Sequence, residues 1–295
     1  MILEERAYIK MKFSKRMDLF GESIFTTLAN MRSERKKQGL EVIDLSIGAP
    51  NIPPTQEVME TIANEAMKPE NYLYAIKDAV DLQNTVKEWY EKRYGVTIDP
   101  ETEMTSLLGS QDGLAHLALT LVDEGDIVLV QDPCYPIFRD GPLLAGAKVV
   151  TMPLLKENDY LIDFDMIDEK TAQDAKYMIV SYPNNPTCGV ANDEFYKKLI
   201  VFAKKHNIMV LHDNAYSELL FEGPGHSFLD FEGAKDVGIE FNSLSKTYGL
   251  AGARIGFALG NKEIIGKLKS LKSNLDYGMF LPVQKGAIKA LTQDQ

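Results

Sequence analysis

The chain has 295 residues, 45% of them hydrophobic and 25% charged, with a formal net charge of -11 at pH 7. That length and apolar content suffice for one large domain or two smaller ones with a buried core, and the acidic balance argues against nucleic acid or an anionic membrane as a partner. Cys134 and Cys188 fit no metal-ligand spacing and read as ordinary reduced thiols, so the expected compartment is cytoplasmic.

Charges run through MILEERAYIKMKF, where a signal peptide needs an unbroken apolar core, and no later apolar run approaches the roughly 20 residues of a membrane span. The expectation is a soluble, unprocessed protein. Residues 1–40 read as an arm and then a helix over 24–38, with Phe25, Leu28, Ala29 and Met31 on one side and Gly39 as its stop. Arg32, Arg35, Lys36 and Lys37 fit a solvated face with favourable last-turn charge better than a binding patch. Residues 42–50 read as a short strand breaking into a Gly/Pro loop. Gly48 there either lets backbone approach a ligand or supplies a turn at positive φ. Helices over 55–67 and 79–94, the second stopped by Gly95, flank Asn71-Tyr-Leu-Tyr74.

From Gly95 onward short apolar runs (MTSLL, DIVLVQD, AKVVTMP, KYMIVSYP, NIMVLHD, VGIEFNS, RIGFALG) alternate in most cases with helix-length amphipathic segments such as 111–122 and 192–206. This pattern predicts an α/β fold, a mostly parallel sheet covered by helices on both faces. Such sheets bind ligands off the carboxyl ends of their strands, so the residues just after each run are the candidate site.

Gly109-Ser110-Gln111-Asp112-Gly113 follows a strand and opens a helix, a context in which backbone N–H groups hold phosphate, or in which Ser110 is only a cap. Asp213, just past a buried apolar run, could face a pyridine nitrogen or cap a helix. Tyr216 and Asn185 could both donate to a cofactor oxygen. Tyr216 also fits a core aromatic, and Asn185 a turn residue before proline. Tyr135 could stack on a flat ring. Lys246 lies in a hydroxyl-rich turn with Ser243, Ser245 and Arg254, which suits a phosphate held beside a nucleophilic amine, and a solvated loop lysine is the alternative.

Tyr-Pro-Asn-Asn-Pro-Thr (182–187), Asp-x-x-Tyr (213–216) and Ser-x-Ser-Lys-x7-Arg (243–254) occur in one order and spacing. From about Ile43 to the end the chain resembles the fold-type I, class I/II pyridoxal phosphate aminotransferases. The resemblance implies pyridoxal 5'-phosphate bound as an internal aldimine on Lys246, with Asp213 on the pyridinium nitrogen. It implies Asn185 and Tyr216 on the ring oxygen and Tyr135 stacked on the ring. Backbone amides of Ser110 and Gln111, with Ser243, Ser245 and Arg254, would hold the phosphate, and Gly48 and Asn185 would border the substrate. Tyr74 resembles the tyrosine that reaches the phosphate from a neighbouring subunit, which implies a homodimer with shared sites. The tyrosine-rich surroundings (Tyr72, Tyr74, Tyr135) and Gly-Ser-Gln-Asp-Gly-Leu-Ala-His look most like LL-diaminopimelate aminotransferases and their alanine- or aspartate-using relatives.

Two departures stand out. The family's Asn-Pro-x-Gly appears as Asn185-Pro-Thr-Cys188-Gly189, one residue longer. No arginine after Arg254 matches the family's substrate-carboxylate arginine, so the chain reads as truncated, which would leave apolar surface exposed. The expected division is an arm and small-domain segment over 1–45, a cofactor-binding large domain over 46–280, and the start of a small domain over 281–295. The expected activity moves an amino group between an amino acid and a 2-oxo acid. A C–S β-lyase or decarboxylase on the same fold, and a catalytically inactive fragment, are the alternatives.

Overall fold

Each of the seven apolar runs forms a strand. The computed structural model describes residues 11–293, so residues 1–10 of the expected arm lie outside the described residues. The chain divides into two units, Met1–Gly48 and Ala49–Gln295.

In the first unit α1 (Ile24–Lys37) starts where the Ser23 side chain accepts from the Phe25 N–H and stops before Gly39, whose φ is +75°. Arg32 pairs with Asp44. The expected strand over 42–47 does not form. Ile43, Leu45 and Ile47 have the right alternation, but a strand needs a partner for its backbone groups, and none pairs with this segment among the described residues. Gly48 is not among the residues at positive φ, so that account of it fails.

The second unit opens with α2 (Gln56–Ala66), whose N-cap Thr55 accepts from Val58 N–H, and α3 (Val80–Tyr94), which ends in a left-handed Gly95. Then follow β1 (Met104–Leu107), α4 (Ser110–Leu121), β2 (Ile127–Asp132), α5 (Ile137–Ala145), β3 (Lys148–Pro153), α6 (Glu169–Asp174) and β4 (Ala175–Ser181). The series continues with α7 (Asp193–His206), β5 (Met209–Asp213), α8 (Ala234–Val237), β6 (Gly238–Ser243), α9 (Leu244–Thr247), β7 (Gly256–Gly260), α10 (Lys262–Leu275) and α11 (Leu281–Thr292). The last of these packs against α2 and α3, where a Cβ on Gly286 would meet Ile62 Cγ1 at 2.4 Å.

The strands form one sheet in the order β1-β7-β6-β5-β4-β2-β3. All neighbours are parallel except β7, which runs antiparallel to both β1 and β6. The expected mostly parallel α/β sheet is therefore what forms. Period-two alternation explains its two cores: Tyr177 and Ile179 of β4, Leu211 of β5 and Ile239 and Phe241 of β6 share one cluster with α4 and α10. Met178, Val180 and Val210 share the other, with α3 and α7. Counting on by twos puts Asp213 and Ser243 on the α4 side of the sheet, at the carboxyl ends of their strands. No helix among the described residues is long and apolar enough to cross a membrane.

Candidate active site

The turn from β1 into α4 is built on Gly109, whose φ of +86° is open only to glycine without strain. A Cβ there would lie 2.5 Å from Arg254 Nη2. The guanidinium sits on this turn, donating from Nη2 to Leu108 O (3.1 Å) and from Nη1 to Ala251 O (3.1 Å). Close approach recurs at Gly256, where a Cβ would meet Asn242 O at 2.8 Å and Ser110 N at 3.1 Å. Arg254, the β7 backbone and the first N–H groups of α4 are thus drawn together.

Ser243 caps the short helix α9, its hydroxyl accepting from Ser245 N–H at 3.2 Å, and both serines are buried. Lys246 follows within α9, with Nζ 5.8 Å from the centre of the Tyr216 ring. Burial lowers the pKa of its ammonium below the ordinary 10.5. The Arg254 guanidinium is engaged with the Gly109 turn and is not among the causes of that shift.

Asn185 Nδ2 donates to Tyr216 Oη at 3.3 Å, so residues from two strand ends meet. Tyr135 Oη donates to Gln111 Oε1 at 3.2 Å, tying the β2 end to the start of α4. Burial raises the pKa of both tyrosines, and the charge of Asp213 adds to the rise in each. The Asp213 carboxyl is thus close enough to act electrostatically on both tyrosines. Asp213 is buried, and its Oδ1 has no hydrogen-bond partner. Its pKa rises from 3.8 to about 7, mainly through burial, against a lowering bond from Ala215 N–H and with a further raising contribution from Glu240. No helix starts there, so Asp213 is not a helix cap.

Of the expected residues, Ser110, Gln111, Tyr135, Asn185, Asp213, Tyr216, Ser243, Ser245, Lys246 and Arg254 lie on adjoining strand-end turns. Tyr74 is 82% exposed, its ring 5.6 Å from that of Tyr277. Gly48 ends the first unit.

Several supporting residues gave no signal in the sequence. Asn184, not Asn185, builds the turn after β4: its Oδ1 accepts from Thr187 N–H and hydroxyl, and its Nδ2 donates to Gln131 Oε1. That frees Asn185 to reach Tyr216. Glu218 fastens the Tyr216 loop to α3, accepting from Tyr94 Oη (2.6 Å) and Arg93 Nε (2.8 Å). On the far face of β5 and β6, fully buried Glu240 accepts from Tyr90 Oη, the Ser227 hydroxyl and Phe228 N–H, with His212 Nδ1 at 3.4 Å. An anion can be carried in that core because each oxygen has donors.

Residues 41–295 match the family described as aminotransferase class I and II. The chain is 43% identical over 287 residues to the LL-diaminopimelate aminotransferase of Dehalococcoides mccartyi, covering 97% of this chain and 74% of that protein. It is 43% identical over 283 residues to the enzyme of the same name from Aquifex aeolicus, covering 95% and 73%. Among solved structures, apo-BacF from Bacillus subtilis superposes with a TM-score of 0.92 at 37% identity, covering 96% of this chain and 73% of that one. A probable N-succinyldiaminopimelate aminotransferase from Thermus thermophilus gives 0.88 at 34%, covering 92% and 74%. With its motifs gathered at the ends of this sheet, the chain belongs to the class I and II aminotransferases, enzymes that move an amino group between an amino acid and a 2-oxo acid with pyridoxal 5'-phosphate as cofactor.

Proposed function

We propose that this chain transaminates LL-diaminopimelate against a 2-oxo acid, using the residues around Lys246, as a cytoplasmic homodimer. The observation that carries the cofactor assignment is Asp213 Oδ1, a buried carboxyl oxygen without a donor. Leaving it so costs free energy, and a protonated ring nitrogen is the partner that suits it. The 43% identity to curated enzymes of that name supports the substrate.

Bound pyridoxal phosphate supplies an electron sink for charge developing at the substrate Cα. Asp213 would accept from the ring N–H and hold that proton in place. Asn185 and Tyr216, already joined, would donate to the ring oxygen, and Tyr135, fixed by Gln111, would lie against the ring. Backbone N–H groups of Ser110 and Gln111, the hydroxyls of Ser243 and Ser245, and Arg254 would take the phosphate. Lys246 Nζ, favoured in its neutral form by burial, would remove the proton from Cα and return one. Asn185 would border the substrate. Tyr74, exposed with Tyr72 and Leu73 beside it, would reach the phosphate site of a second copy.

The test supplies purified protein and pyridoxal phosphate with LL-diaminopimelate and 2-oxoglutarate. Glutamate formed only when LL-diaminopimelate is present supports the assignment. Preferential use of aspartate or alanine overturns the substrate. Pyruvate from cystathionine without an amino acceptor points to β-lyase chemistry instead.

A further inference from the structure

Asp112 sits in the first turn of α4, one residue past Gln111 and three past Gly109. Its Oδ2 accepts from Leu108 N–H at 2.9 Å, so its side chain closes the loop that presents the Ser110 and Gln111 amides. Glycine at the N-cap has no side chain to do this, and Asp112 reaches back in its place. A carboxylate here has a second effect. It occupies the positive end of the helix dipole that a phosphate dianion would use, and it repels that dianion at short range.

Lys272 of α10 answers that charge. Its side chain is 7% exposed, and Nζ lies 2.6 Å from Asp112 Oδ2 and 2.8 Å from Asp276 Oδ2. His116, one turn along α4, places Nδ1 2.7 Å from Asp112 Oδ1 and 4.0 Å from Asp276 Oδ2. Asp112, His116 and Asp276 converge within 4.8 Å of one another, and the two carboxylates share the Lys272 ammonium. Of these four groups only Asp112 lies in a strand-end segment, the Gly109–Gly113 turn.

We propose that Lys272 is a positioning residue for the cofactor phosphate: by pairing with Asp112 it fixes the Gly109 turn and offsets the negative charge that would oppose a dianion at the start of α4. The inference rests on the placement of the phosphate at that turn. Three predictions separate it from a plain structural brace. Lys272→Met should bind pyridoxal phosphate about tenfold more weakly, while binding of pyridoxal, which lacks the phosphate, changes little. Asp112→Asn keeps an oxygen for Leu108 N–H but drops the charge, and should bind pyridoxal phosphate at least as tightly as the parent. Combining the two substitutions should restore most of the lost preference for the phosphorylated cofactor.

The readout is the ratio of pyridoxal phosphate to pyridoxal affinity, from absorbance titrations of the cofactor-free protein. A parent protein that binds both alike refutes the phosphate placement itself. A parent that discriminates, with Lys272→Met discriminating equally, overturns the role of Lys272. Loss of discrimination in Asp112→Asn likewise overturns it, and that variant stays informative if Lys272→Met does not fold.

Discussion

Replacing Asp213 by asparagine should stabilise the cofactor-free protein and weaken its hold on the cofactor. The Asp213 carboxyl loses its proton near pH 7 in the folded chain but at 3.8 in an unfolded one. Between those values the folded state binds more protons, so the stability contributed by this group is present below 3.8 and lost as pH rises to about 7. At roughly 1.4 kcal/mol per pH unit, the loss is about 4 kcal/mol over the whole window, of which about 3 kcal/mol falls above pH 5. Asparagine has nothing to ionise, so Asp213→Asn should gain on the parent by that amount between about pH 5 and 8. Urea unfolding of the cofactor-free proteins, followed by circular dichroism at several pH values, measures the difference. With pyridoxal phosphate in saturating amount the order should reverse, because the ring nitrogen has lost its anionic partner. Parallel pH profiles for parent and variant without cofactor would refute the burial argument for Asp213.

Gly109→Ala should lower both stability, by roughly 1 kcal/mol or more from the left-handed φ, and affinity for pyridoxal phosphate, because its Cβ displaces Arg254. Thermal melts and cofactor titration read the two effects. Glu240→Gln should cost about 2–3 kcal/mol in a melt, since an amide N–H₂ would face donors that now point at a carboxylate oxygen. In the cofactor-free protein, Lys246 should react with an amine-directed reagent half-maximally at a pH below 10.5, and Lys246→Ala should remove that fraction while abolishing amino transfer. Glu218→Gln should weaken cofactor binding severalfold by loosening the loop that carries Tyr216, as limited proteolysis near 217–227 would register.

Strands were legible because each is a short apolar run, and the central ones are buried on both faces, as in KYMIVSYP, where Tyr177 and Met178 enter opposite cores. Apart from Gly48, Tyr74 and Arg254, the candidate site residues could be picked out because they follow the carboxyl ends of those runs. The 42–47 segment shows the limit: Ile43 and Leu45 alternate like a strand yet are 85% and 90% exposed, because hydrogen-bonded pairing cannot be read from one segment. Charged pairs separated widely in sequence were equally hidden. Nothing near Asp112 signals Lys272, and Glu240 inside VGIEF gives no hint of the hydroxyls that satisfy it. Asn184 was hidden for a third reason: adjacent asparagines before proline are interchangeable in composition, and only the backbone assigns one to the turn and the other to Tyr216.

The reversed direction of β7 has a mechanical consequence. Because β6 and β7 are antiparallel, the segment joining them leaves and re-enters the sheet at the same end, and it carries both Lys246 and Arg254. Amine and guanidinium are therefore two points on one hairpin arm anchored by the Ser243–Gly256 pair. Slipping that pairing by a single step, or adding a residue inside the arm, would shift the spacing between them. Loop grafting elsewhere at the rim can retune the entrance, but this arm has to be transplanted whole.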